Sequence, residues 1–295
     1  MANKPSVFWC EYAVICVAVL VVLAAVPLIA LDAYSHYYFL HSSSPFTGIL
    51  PRVHRIPKHM FKTGPLPQTH PLVFPVMAAV SRKNPDVRVR YFNDSESGTY
   101  IASHCGERAK EAYDTLRSGS LRADIFRYCA LWAEGGIYGD LSQHYKVPLR
   151  ELVDFRRDKL VLVRDRPRHV QYPGITPVQI NFMAAVPQHP LMKLALDAAV
   201  LNVETRFYGK SSLEPTGPFL MGKLISPGGA GAHYPFKMEL EDTGNVLADM
   251  RTGRSLVITK LGGNRKAHAR IGNTPRYVDL WQRRELYGEV GREEY

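Results

Sequence analysis

The stretch from Leu121 to Pro148, LRADIFRYCALWAEGGIYGDLSQHYKVP, constrains the fold more than any other part of this chain. Leu121, Ile125, Tyr128 or Cys129, and Trp132 recur at helical spacing, with Ser120 placed as a cap and Gly135-Gly136 as a stop. The pattern predicts a buried amphipathic helix. Asp124 and Arg127 are three residues apart on it, so they share a face and both reach past its edge. Ile137-Tyr138 then reads as a short strand, and Gly139-Asp140 would leave its carboxyl end. That is the end at which open α/β sheets bind ligands.

The 295 residues suffice for one large domain or two small ones, and 46% apolar content is that of a globular protein. A net charge of +10 favours acidic partners such as a nucleotide diphosphate, a phosphorylated acceptor or an anionic membrane face, though a basic solvated surface is the simpler reading. Nucleic acid is not an expected partner, because no basic helix, zinc spacing or aromatic RNA-binding motif accompanies the charge. The four cysteines contain no C-x-x-C spacing, which argues against zinc. Cys105 and Cys129 could pair if the body is lumenal, but Cys129 falls on the apolar face of the key helix. A buried free thiol is the expected state.

Residues 1–11 read as a short cytoplasmic tail and 12–31 as a transmembrane signal anchor, an uncharged apolar run long enough to cross a bilayer as a helix. Lys4 before the run and Asp32 after it place the N-terminus in the cytoplasm. Tyr34, Tyr37, Tyr38 and Phe39 suit the far interface, and 32–54 reads as a stem rich in Ser, Pro and Gly. The body, 55–295, opens with Ile56-Pro57-Lys58-His59-Met60-Phe61-Lys62-Thr63 as a strand. Helices are expected at Pro71–Val80, Ser103–Leu116, Leu191–Val203 and Tyr277–Arg284, the last assigned to packing. Strands are expected at Val87–Phe92, Leu160–Val163 and Leu256–Thr259, with a turn at Asn93-Asp94.

Asp-x-x-Arg, an apolar helix, Gly-Gly-Ile-Tyr and then Asp together resemble the glycosyltransferases with a sugar-binding DXD motif. This is the family of the fungal α-1,6-mannosyltransferases and the mannosylinositol phosphorylceramide synthases. The resemblance extends in weaker form from about Ile56 to Tyr287, through Asn181-Phe182-Met183-Ala184 and Thr216-Gly217-Pro218. It implies an α/β fold, a single Rossmann-like GT-A type domain. It also implies a retaining transfer from a nucleotide sugar, GDP-mannose or a UDP-hexose, with Mn or Mg as cofactor. Asp124, Arg127 and Asp140 are then the catalytic candidates, and Phe61, Lys62, Asp94, Tyr138, Asn181, Thr216 and Gly217 the donor-binding ones. Asp140, Ser142 and His268 are the metal candidates, with Arg265 and Lys266 beside the last. The family's Asp-x-Asp reads Asp140-Leu141-Ser142 here, so a neutral hydroxyl replaces the carboxylate that the family uses as metal ligand.

Two functions follow. The first is a membrane-anchored hexosyltransferase, with mannose favoured, acting on a glycan or glycolipid acceptor. It would be a single-pass type II protein of the Golgi or another endomembrane, its catalytic domain lumenal and its bilayer contact through 12–31. The second is a catalytically weak or inactive relative that binds a sugar nucleotide or glycan as an anchored interaction protein. A glycoside hydrolase fits poorly, since Arg127 would hold a neighbouring carboxylate ionised.

Overall fold

The computed structural model describes residues 55–165, 173–259 and 276–288. The tail (1–11), the anchor (12–31), the stem (32–54) and Arg265, Lys266 and His268 lie outside the described residues. Among the described residues no helix is long and apolar enough to cross a membrane.

The strands are β1 (His59–Thr63), β2 (Arg88–Phe92), β3 (Gly136–Gly139), β4 (His144–Tyr145), β5 (Leu160–Arg164), β6 (Val178–Ala185), β7 (Lys237–Asp242), β8 (Val246–Asp249) and β9 (Ser255–Ile258). Among the described residues they form one nine-stranded sheet in the order β2-β1-β3-β6-β5-β7-β8-β9-β4. β1 is parallel to both β2 and β3. β6 runs antiparallel between β3 and β5, and β7 is parallel to β5. The α/β expectation holds. Chain reversal about β1, with β2 on one side and β3 on the other, opens a crevice at the carboxyl ends of β1 and β3, as a topological switch point does.

The helices are α1 (Phe74–Lys83), α2 (Asp94–Cys105), α3 (Glu107–Thr115), α4 (Gly119–Ala133), α5 (Pro190–Glu204), α6 (Pro218–Ile225) and α7 (Tyr277–Gln282). Alternate residues of the central strands enter two cores. Phe61, Tyr138, Leu160 and Leu162 pack with α4, α5 and α6, whereas Met60, Ile137, Val161 and Val163 pack with Val80, Leu149 and Leu152. This two-sided burial is why β5 reads as an unbroken apolar run.

Several local expectations change. The single helix expected over Ser103–Leu116 is two helices, α2 and α3, because Gly106 takes a φ of 86° between them. Asn93-Asp94 is not a free turn: Asn93 caps α2 in a capping box with Glu96, so the strand passes directly into a helix. The N-cap of α4 is Ser118, not Ser120. The meander of β7 and β8 carries mixed polar and apolar residues and gave no strand signal.

Cys105 and Cys129 form a disulfide instead of leaving a buried free thiol. Cys105 ends α2, and the packing of α2 on α4 brings it to the buried face that holds Cys129, 6.0 Å away between Cα atoms. Helical periodicity places Cys129 in the core but says nothing about which helix covers it.

Candidate functional site

α4 is buried over most of its circumference, Asp124 and Arg127 included. Its end is set by Gly135 and Gly136, with φ of 67° and 95°, which let the chain turn sharply into β3. β3 then brings Tyr138 and Asp140 alongside the polar pair of α4.

Arg127 is the hub. Its Nη1 donates to the Ile180 carbonyl at 2.6 Å, and its Nη2 pairs with Asp124 Oδ1 at 3.2 Å and with Asp140 Oδ1 at 3.5 Å. The guanidinium lies 4.4 Å from the centre of the Tyr138 ring, and the Tyr138 hydroxyl donates to Asp140 Oδ1 at 3.1 Å. The other Asp124 oxygen accepts from Thr216 Oγ1 at 2.8 Å. Four separate segments thus meet in one charged cluster. It forms part of the wall of a cleft of about 1040 Å³, which Asp94, Ser142 and Gly217 also line.

Burial pushes the Asp124 carboxyl up to about 6, against the opposing pull of Arg127 and Thr216. A carboxyl whose folded pKa lies above its unfolded value binds protons more readily when folded. Its contribution to stability is therefore full below the unfolded value near pH 4, and is lost as pH rises to about 6. Thermal melts at pH 4.5 and 7 should show the Asp124→Asn variant gaining several degrees on the wild type at the higher pH. Parallel melting curves would show that Asp124 ionises as an ordinary surface carboxylate.

The sequence candidates divide. Asp124, Arg127, Tyr138, Asp140, Asp94, Ser142 and Gly217 all line the cleft. Thr216 is buried behind it, ordering Asp124. Asn181 lies beneath the Asp140 turn: its carbonyl accepts from the Asp140 backbone at 2.9 Å, and its Nδ2 donates to Asp242 at 3.0 Å. Phe61, a donor-binding candidate from the sequence, does not line the cleft. It is fully buried among Phe92, Tyr100 and Phe126 because it shares the α4 side of the sheet with Tyr138. Lys62 is also fully buried, and its ammonium donates to the carbonyls of Gly139 and Asp140.

Some cleft residues had no sequence signal. Tyr277, assigned to packing, lines the cleft, as do Tyr113, Asp165 and Gln179. They come from four distant segments and share no motif. Asp242, buried beneath the cleft as the partner of Asn181, has no sequence signal either, because its strand has none.

Among the described residues, which leave out His268, the donor set around the Asp140 turn does not fit a resident divalent ion. Such an ion needs several oxygen ligands carrying net negative charge. Asp140 already faces Arg127, the Lys62 ammonium binds the turn's own carbonyls, and Ser142 Oγ donates to the Thr259 carbonyl at 3.0 Å. Among the described residues no three His, Cys, Asp or Glu side chains converge.

Fold and cleft together define an α/β protein with a cleft, bearing a charged cluster on its wall, at the carboxyl ends of parallel strands. Residues 76–157, from α1 through α4 and the Asp140 turn, match the family profile described as a glycosyltransferase sugar-binding region containing a DXD motif. This segment is less than half of the chain. No curated protein matches the chain. A solved structure titled PaToxG Glycosyltransferase is similar at 15% identity over 66% of this chain and 76% of that one, with a TM-score of 0.41.

Proposed function

We propose that the protein is a retaining glycosyltransferase that moves a hexose, mannose favoured, from a nucleotide sugar to a glycan or glycolipid acceptor. The observation that carries this reading is the cluster of Asp124, Arg127 and Asp140 on the cleft wall, inside the segment that matches a sugar-binding region. In this reading carboxylate oxygens of Asp124 and Asp140 accept from sugar hydroxyls. Arg127 places fixed positive charge where the departing diphosphate gains negative charge, held by its neighbours before the reaction begins. The acceptor hydroxyl attacks from the leaving-group side, with the diphosphate oxygen taking its proton, so no protein nucleophile is required. The protein is anchored through 12–31 with its body in the lumen of the Golgi or another endomembrane. The Cys105–Cys129 bridge supports that placement, because disulfides persist in oxidising compartments.

The test is a titration of the full-length protein with GDP-mannose, UDP-glucose and UDP-galactose, reading donor binding and release of free diphosphate. Binding of one donor with slow release supports the proposal, and failure to bind any of them overturns it. Chelation should change release by less than about threefold, whereas Ser142→Asp should create a manganese dependence of about tenfold or more by restoring the second carboxylate. A second reading, a sugar-nucleotide-binding protein without turnover, is favoured by Ser142. Tight binding of a donor with no release, in the wild type and in Ser142→Asp alike, would select it.

A further inference from the structure

Lys62 has an environment that the transfer chemistry above does not use. It is fully buried near the end of β1, and its ammonium donates to Gly139 O at 3.1 Å and to Asp140 O at 2.8 Å. The Tyr145 ring lies 5.3 Å from Nζ. Among the described residues no carboxylate forms an ion pair with it. A fully buried lysine is rare because desolvating an ammonium is costly, and a methionine would fill the same space without that cost. Burial lowers the Lys62 pKa to about 7 against the opposing pull of the Asp140 charge, and in either protonation state Nζ keeps N–H groups to donate, so its role must be sought at the two carbonyls.

These carbonyls belong to the place where the sheet gives way to the site. β1 pairs with β3 only as far as Phe61 and Tyr138, so the residues beyond lose their backbone partners on that side. A buried carbonyl left without a donor is unfavourable; the Asp140 carbonyl already accepts from Gln143 N at 3.1 Å across the turn, so the ammonium supplies a donor to Gly139 O and a second one to Asp140 O. The opposite side of the turn is held separately. Asp140 N donates to Asn181 O at 2.9 Å, Gln143 Nε2 donates to the same carbonyl at 2.9 Å, and Tyr145 Oη donates to Gln143 Oε1 at 2.6 Å. Any side chain at Gly139 would run into Tyr145, Met60 and Gln143, so the strand end packs closely on this scaffold.

We propose that Lys62 is a positioning residue whose buried ammonium, by holding the carbonyls of Gly139 and Asp140 together, fixes the Asp140–Ser142 turn in the shape that presents the Asp140 carboxylate to Arg127 and the cleft. An internal cation thus orders the turn from below. The consequence for turnover rests on the transferase reading, whereas the consequence for the turn does not.

Two variants of the full-length protein test this, Lys62→Met and Lys62→Gln. Both should melt within about 3 °C of the wild type, since the fold no longer buries an ammonium. Amide exchange at residues 139–143 should quicken by about tenfold or more in Lys62→Met and by less in Lys62→Gln, which retains one donor pair. Diphosphate release from GDP-mannose or UDP-glucose should lose about tenfold or more in kcat in Lys62→Met, with KM within about threefold, because the donor still binds but the carboxylate is misplaced. If the wild type releases no diphosphate, the transferase reading fails and the exchange comparison alone decides the role of Lys62. Unchanged exchange at the turn in Lys62→Met would overturn the proposal. So would global unfolding of both variants, since Lys62 would then support the whole sheet instead of the turn.

Discussion

An Arg127→Ala variant should release diphosphate at least about 1000-fold more slowly than the wild type and lose roughly 3–5 kcal/mol of folding stability. The two losses have different origins. In the proposed transfer the guanidinium is a fixed cation of the cleft wall, held by the Ile180 carbonyl and stacked on Tyr138 before any ligand arrives. Structurally, its removal leaves Asp124 as a buried carboxylate that, among the described residues, has no cation beside it and only Thr216 to donate to it. That penalty falls on the ionised form, so the variant should recover stability as the pH is lowered and Asp124 takes up a proton. Arg127→Lys should recover little activity, since a point charge cannot serve Ile180, Asp124 and Asp140 in one plane. Pairing Arg127→Met with Asp124→Asn should cost less stability than Arg127→Met alone, because no uncompensated charge stays buried. Thermal melts and single-turnover release measure both effects. A stability loss that ignores pH would detach Arg127 from Asp124.

The second large effect concerns the disulfide. Replacing both Cys105 and Cys129 by alanine should remove roughly 3 kcal/mol, the loop-closure value for a bridge spanning 24 positions in sequence. For a domain of this size that corresponds to a fall of roughly 6–12 °C in melting temperature. The bridge ties the end of α2 to the middle of α4, the helix that carries Asp124 and Arg127. Release of diphosphate at temperatures near the new melting point should therefore fall before the fold is lost. Melts of the wild type with and without a reducing agent give the same comparison without mutagenesis. Equal melting temperatures in the two conditions would mean that the bridge contributes no stability.

The central stretch was legible because its signals are local. Helical spacing from Leu121 to Trp132 gave α4 within a few residues, and the glycine pair gave its end and the start of β3. Asp124, Arg127 and Asp140 could be grouped for the same reason, since one helix and the next strand carry all three. Elsewhere a side chain's place depends on a neighbour distant in sequence. Phe61 and Lys62 were assigned to the donor from their place in a resembling strand, yet the side of the sheet and the covering layer bury both. Thr216 entered as a ligand contact and serves as the donor that orders Asp124 from a loop 92 residues away. Tyr277 reads as a packing residue from its helix alone, and only the cleft shows its second face.

Periodicity, glycine placement and the Asp-x-x-Arg spacing dictated the buried helix, the short strand after it and the shared face of Asp124 and Arg127, because these follow from backbone geometry over a few consecutive turns, whereas the α/β class was implied by the family resemblance. The sheet order, the Cys105–Cys129 pairing, the placement of Lys62 beneath the Asp140 turn and the cleft residues from four distant segments were decided by tertiary packing alone. Each of these is a meeting of side chains across long loops, and hydrophobic burial selects such partners by shape and area, leaving no spacing rule in the chain to announce them.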